Sequence, residues 1–191
     1  MYFRNPIPSR TPRERLLDAA ERAVLETGAG HLTLDAVAKF AGVSKGGLLH
    51  HFPSKDSLLE AMLERYLNDV ESQVAARCAR SKGTPTRVEQ FRERVRVLLE
   101  LHPDRRAAGA ALIAASADKP ALMAHCRTFY REVLDELAEL PGGFERSALV
   151  LLAVDGLLLG ELLRLSPYTP EERSRLVKAL LKAVDQCGRL Q

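Results

Sequence analysis

The sequence predicts an all-α fold of about nine helices, divided between a short three-helix unit at the N-terminus and a larger helical domain after it. Three observations carry this expectation. Of 191 residues, 46% are hydrophobic, and these include 32 Leu and 25 Ala against 13 Val and 2 Ile, a balance that favours helix over strand. The helix-start pattern Thr-Pro-x-Glu occurs twice, at Thr11–Glu14 and Thr169–Glu172. No stretch alternates apolar and polar residues at the strand period, and no repeat or low-complexity tract is present.

Each Thr-Pro-x-Glu places Thr at N-cap, Pro at the first helical position and Glu where its carboxylate reaches back to the cap amide. After the first, Leu16, Leu17, Ala20, Val24 and Leu25 recur at helical spacing until Gly28 and Gly30 end the run. Thr33 caps a second helix holding Leu34, Val37, Ala38 and Ala41, and Gly42 ends it where a left-handed residue is needed. Ser44 caps a third, reaching Phe52. Pro53 and Ser54 restart the chain as one long helix whose apolar face runs from Leu58 to Val74, followed by a loop over 81–85. Further segments are expected over 88–101, 107–117, 120–140, 145–165 and 170–187. The chain is accordingly divided into residues 1–52 and residues 53–191.

A folded chain of this size buries about 70% of the surface its unfolded form exposes, enough for a core in one or two domains. Lys and Arg number 28 against 25 Asp and Glu, a formal charge of +3, far from the balance of a non-specific nucleic-acid coater. Cys78, Cys126 and Cys187 are isolated and lack metal-ligand spacing, so no disulfide framework, metal site or cofactor is expected. The segment 1–11 has no apolar signal region, and the most apolar stretch, 147–163, carries Asp155 and Glu161. A soluble cytoplasmic protein with no membrane partner is therefore expected. No nucleophile-base pair, phosphate loop or paired-carboxylate motif suggests an enzyme.

The most specific signal is the run TLDAVAKFAGVSKGGLLHHF at Thr33–Phe52. Two short helices cross steeply around a tight turn when the contact residue is small and the turn carries Gly. Ala38, Gly42, Val43 and Leu48 fall at those offsets, with Val37 and Ala41 beside them. In this helix-turn-helix pattern the segment Ser44–Phe52 is the recognition helix, and its first residues meet base edges in the major groove. Lys45 is its long donor for guanine or phosphate, while Ser44 either caps or contacts DNA. Gly46 and Gly47 cost helix stability, about 1 kcal/mol each against Ala, yet remove side chains where DNA approaches. His50 and His51 are phosphate donors, or one of them packs inward under Phe52. Thr33 and Lys55, at helix starts, are phosphate candidates. Arg4, Arg10 and Arg13 form a basic arm that adds backbone or minor-groove contacts, or else is a disordered tail.

Residues 11–63, notably LTLDAVAKFAGVSKGGLLHHFPSKDSLLEAML, resemble the DNA-binding domain of the tetracycline-repressor (TetR) family of bacterial transcription regulators. Thr33, Ser44, Lys45, Gly47, His51 and Lys55 match positions that commonly contact or frame DNA in that family. The family often has an aromatic pair before the His-Phe, where this chain has Leu49 and His50, so no contact is carried over to Leu49. The resemblance implies a divergent helical ligand-binding domain and a dimeric assembly, usually formed through the two C-terminal helices.

Between Ala148 and Leu165 apolar residues surround the helix, and the final helix carries adjacent stripes that include Leu176, Leu180 and Val184. Such helices need cover on two sides, which a partner subunit supplies. Gly156 and Gly160 leave a flat groove suited to close helix approach, either in the dimer or within one subunit. Polar residues that interrupt apolar faces, His102, Ser116, His125, Tyr130 and Asp155, are the candidate contacts for a small-molecule effector. Asp155, flanked by apolar residues, either binds that effector or pairs with an arginine, the pairing being the preferred reading. Few aromatics and no Trp point to an apolar or aliphatic effector.

The expectation is a homodimeric, effector-released regulator, more often a repressor, that reads a palindromic site in double-stranded DNA. The competing reading is a helical adaptor or small-molecule-binding protein without sequence-specific DNA binding. Residues 1–52 hold seven Lys or Arg and five Asp or Glu, and residues 53–191 hold 21 and 20, so the N-terminal part carries +2 of the total +3. That modest concentration of charge suits a site-specific reader.

Overall fold

The structure is a computed structural model that describes residues 11–81, 83–163 and 165–189. Among these residues the chain forms α1 (Pro12–Thr27), a 3₁₀ turn (Ala29–His31), α2 (Leu34–Ala41), α3 (Lys45–His51), α4 (Lys55–Cys78), α5 (Arg87–Glu100), α6 (Pro103–Ser116), α7 (Pro120–Ala138), α8 (Gly143–Leu162) and α9 (Pro170–Cys187), with no strand. The all-α expectation holds, and the segments fall close to the expected ranges.

Local chemistry fixes the helix starts. Thr11 and Thr169 each accept from the third amide while Glu14 and Glu172 accept from the cap amide, completing both expected capping boxes. A third box joins Thr86 to Glu89 at the start of α5, where the same Thr-x-x-Glu spacing carries no proline. A reciprocal pair of serine caps, Ser54 with Ser57, opens α4. Gly42 ends α2 at φ 69°, the left-handed geometry glycine adopts at least cost.

The chain divides into two compact units, the first taking the described residues up to Glu64 with Ala108–Leu122, the second taking Arg65–Ala107 and the chain from Met123 onward. A boundary after residue 52 would cut the first unit ahead of Leu58, Leu59, Met62 and Leu63, all buried. Its interior also takes Leu16, Leu17, Ala20 and Val24 of α1, Val37 and Ala38 of α2, Leu48 of α3, Phe52 and Leu112. Within it α1 packs on α2 and α2 on α3. Lys119 forms an ion pair with Asp56, linking residues 63 positions apart in this unit.

In the second unit one core joins Phe91, Val95 and Leu99 of α5, Val133 and Leu137 of α7, Val150, Val154 and Leu157 of α8, and Val184 and Cys187 of α9. A second cluster sets Val70, Val74 and Cys78 of α4 against Val97 and Leu101. Glu161 is clamped by Arg106 and Arg173, whose guanidinia also donate to the carbonyls of Leu101 and Leu99 at 3.3 Å each. That cluster closes the C-terminal end of α5, whose last carbonyls have no helical partner. The three cysteines are free and buried. No helix among the described residues is long and apolar enough to cross a membrane.

Candidate nucleic-acid interface and effector-facing residues

The candidate interface is built from the two short helices of the first unit. Gly42 turns the chain, the Gly42 and Val43 amides donate back to the last turn of α2, and Ser44 starts α3 by accepting from the Gly47 amide at 3.1 Å. Leu48 is wholly buried and Phe52 nearly so, which holds the inner side of α3 against the unit's interior. Val43, at an offset where the pattern calls for an apolar contact, is instead 43% exposed. It follows the left-handed glycine directly, so the turn carries it outward together with Ser44, Lys45, Gly46, Gly47 and His50, all exposed.

Thr33 and Ser44 both accept in N-caps, Thr33 from the Ala36 amide at 3.1 Å. A hydroxyl that accepts in a cap retains its own proton for donation, so capping and phosphate contact are compatible in each. The Lys45 ammonium lies 3.0 Å from Asp35 Oδ2 in the first turn of α2, a contact between the two helices that sequence spacing alone does not disclose. His51 is half-buried and His50 exposed, their rings meeting edge to face at 5.3 Å. The Arg13 guanidinium sits over the Phe52 ring at 5.3 Å, tying the start of α1 to the end of α3. Arg4 and Arg10 of the expected arm lie outside the described residues. Lys55 is half-buried at the first position of α4, directly after the serine cap.

Neither glycine of α3 is demanded by packing. A methyl group at Gly46 would meet nothing nearer than Ser44 Oγ at 4.0 Å, and one at Gly47 would meet the same atom at 3.4 Å, an ordinary contact. Both residues have helical, negative φ. The double variant Gly46→Ala/Gly47→Ala therefore gains about 1–2 kcal/mol of helix stability, read as a higher melting temperature, while the added methyls weaken binding to DNA by crowding the exposed face. A variant that melts higher and binds DNA as tightly as the parent would show that the glycines serve no outside partner.

The expected effector residues separate. Ser116 is buried in the first unit, whereas His102, His125, Tyr130 and Asp155 belong to the second. His102 is exposed and caps α6, its Nδ1 accepting from the Asp104 amide at 3.3 Å. His125 is exposed. Tyr130 is 41% exposed as a residue; desolvation of its hydroxyl end raises the phenol's pKa, and the charges of Asp155, Tyr66 and Cys126 act on it in the same direction. Tyr66, half-buried on α4 beside the Val97 and Leu101 cluster, thus joins the group. The sequence shows Tyr66 only as one position of an apolar face, and the tyrosine hydroxyl was the signal available there.

Asp155 makes no hydrogen bond or ion pair among the described residues, so the arginine pairing expected of it is made by Glu161 instead. Six residues further along α8, Glu161 lies between Arg106 and Arg173, whereas Asp155 has Leu151 and Leu158 as its neighbours on the helix. Burial holds the Asp155 carboxyl above its ordinary 3.8. Its folded-state value thus exceeds its unfolded one, so this group leaves stability unchanged below that ordinary value and lowers it as pH rises through the window above. Asp155→Asn should raise the melting temperature at pH 7, with the gain shrinking as pH falls toward 3. A gain independent of pH would contradict this account of Asp155.

The residues expected at a subunit interface occupy different depths. Leu149, Leu152, Gly156 and Leu159 of α8, with Leu163 at its C-cap, form one stripe at spacings of three and four, with Leu149 66% and Leu152 65% exposed. Beside it an apolar groove of about 370 Å³ is lined by Gly156, Gly160, Leu165, Tyr168, Leu176 and Leu180, among others. Val184 points the other way, wholly buried in the core of its own unit.

Residues 88–185 match the family described as tetracyclin repressor-like, C-terminal domain, and residues 16–62 match bacterial regulatory proteins, tetR family. The chain is 42% identical over 65 residues to the HTH-type transcriptional regulator BetI 2 of Chromohalobacter salexigens, an overlap of 34% of this chain and 31% of that one. It spans less than half the length of the curated relatives it matches. Among solved structures, a transcriptional regulator of Rhodococcus sp. Rha1 superposes with a TM-score of 0.72 at 26% identity, covering 93% of this chain and 96% of that one. The multidrug binding protein EbrR complexed with ethidium superposes with a TM-score of 0.68 at 26% identity, covering 91% and 98%.

Proposed function

The chain belongs to the TetR family of bacterial regulatory proteins, and on that premise we propose that it is a homodimeric repressor that reads a palindromic operator and is released from it by a small molecule. Membership makes the chain a DNA-binding transcription regulator rather than an enzyme. The observation that carries the finer reading is the outward face of α3, where Ser44, Lys45 and His50 surround two glycines whose small size no internal contact requires. A helix of this kind, with its N-terminal residues exposed, is the part of a helix-turn-helix that enters the major groove.

The dimer reading rests on the α8 stripe and the adjoining groove. Leucines at helical spacing, more than half exposed in a single chain, form a contiguous apolar face of the kind that marks an interaction surface. A second copy of the same stripe would cover it under two-fold symmetry. Two α3 helices would then stand about one turn of DNA apart, roughly 34 Å, and address two half-sites.

We propose that the effector binds within the second unit, a reading supported by the electrostatic influence of Asp155 and Tyr66 on the Tyr130 phenol. Aliphatic surroundings suit the apolar body expected from composition. Two phenols and a carboxylate with no ionic partner among the described residues add a requirement for a hydrogen-bond donor or positive charge on the same molecule. A small molecule that favours one of two dimer states shifts DNA affinity by its differential affinity for them.

The test is a titration of purified protein on the DNA adjoining its own gene and on a scrambled fragment of equal length, at stated salt. Preferential binding to the first supports the regulator reading. Equal binding to both would overturn it.

A further inference from the structure

We propose that Asp35 is a specificity-determining residue that masks Lys45 from phosphates and so suppresses binding to non-operator DNA; this rests on the DNA-reading function above. The Lys45 ammonium is 3.0 Å from Asp35 Oδ2, and the two side chains are 57% and 69% exposed. The pair joins the first turn of α2 to the first turn of α3 on the face that meets DNA. An exposed pair of this kind adds about 0–1 kcal/mol to stability, too little to account for a carboxylate on a surface that must approach a polyanion.

The pair does change what Lys45 can do. Because Gly46 and Gly47 follow it, Lys45 is the long donor at the start of α3. A free ammonium adds one phosphate contact on any sequence and gains from the counterion released. An ammonium already paired with Asp35 exchanges one anion for another and gains little, so random DNA derives small benefit from it. At an operator a well-placed base edge discriminates by about 1–3 kcal/mol, enough to draw the ammonium away from a solvent-exposed carboxylate. The mask therefore lowers affinity for random sequence more than affinity for the operator.

Fluorescence anisotropy of the full chain with adjoining and scrambled DNA, between 50 and 200 mM salt, tests this with Asp35→Asn and, as a second neutral variant, Asp35→Ser, each first shown to melt as the parent does. Each freed lysine strengthens binding to scrambled DNA about eightfold at 0.1 M salt and steepens the logarithmic salt slope by about 0.9. Operator affinity rises less, so the ratio between the two DNAs falls. In a Lys45→Ala background the same substitutions change neither. Unaltered affinity for scrambled DNA, an equal rise on both DNAs, or a rise that persists without Lys45 would each overturn the masking role. If the parent itself fails to distinguish the two fragments, the regulator reading falls first, before any Asp35 variant is compared.

Discussion

Phe52→Ala lowers the stability of the first unit by about 3–5 kcal/mol, the range for deleting a fully buried aromatic side chain. Phe52 is 1% exposed and closes the C-terminal end of α3, its amide donating to the Leu48 carbonyl at 2.9 Å. Truncation removes the ring's burial and opens a cavity, and it also removes the surface on which the Arg13 guanidinium rests. Because a typical domain is stable by about 5–15 kcal/mol, roughly a fifth or more of the margin is lost. Thermal denaturation followed by circular dichroism should show part of the helical signal melting at markedly lower temperature, and DNA binding should disappear as that part melts. A melting curve unchanged from the parent would mean that Phe52 does not anchor α3.

The second large effect is expected at α8. Leu152→Glu places a charge within the exposed leucine stripe, where it costs little in a single chain because the side chain is 65% exposed. In a two-fold dimer the same change appears twice and buries two like charges against each other. Sedimentation at micromolar concentration should therefore give a monomer with the parent's helical content. Binding to a two-half-site operator should fall by about 10²-fold or more, since the second half-site is no longer engaged within the same complex. A variant that stays dimeric would remove the stripe from the interface.

Much of the fold was legible because helix starts and stops are local chemistry. Thr11 and Thr169 announced their capping boxes through the proline that follows each, whereas Thr86, with the same glutamate three residues on, had no proline to mark it. Gly42 was readable as a left-handed stop because only a few residue types tolerate that geometry. Contacts between distant segments were not legible. The Glu161 clamp joins residues 55 positions apart, and the Asp56–Lys119 pair joins residues 63 apart, distances at which a sequence names candidates by the dozen.

The same holds for close packing. A methyl group on Gly142 would lie 2.9 Å from both the backbone Cα and the carbonyl oxygen of Cys187, a constraint set wholly by where the end of α9 passes. At the candidate interface, spacing names Ser44, Lys45, Gly46 and Gly47 as candidates, but the Asp35 partner of Lys45 needs the geometry of the turn. Among the effector candidates, residue type names Tyr130 and Asp155, whereas the electrostatic influence of Tyr66 on Tyr130 and the placement of Ser116 in the other unit depend on the fold.

Guanine N7 protection across the DNA adjoining the gene shows whether paired α3 helices read two related half-sites in the major groove. Two protected clusters related by two-fold symmetry are expected, with centres about one helical turn or a multiple of it apart. Uniform weak protection along the fragment, or a single unpaired cluster, would contradict that pairing.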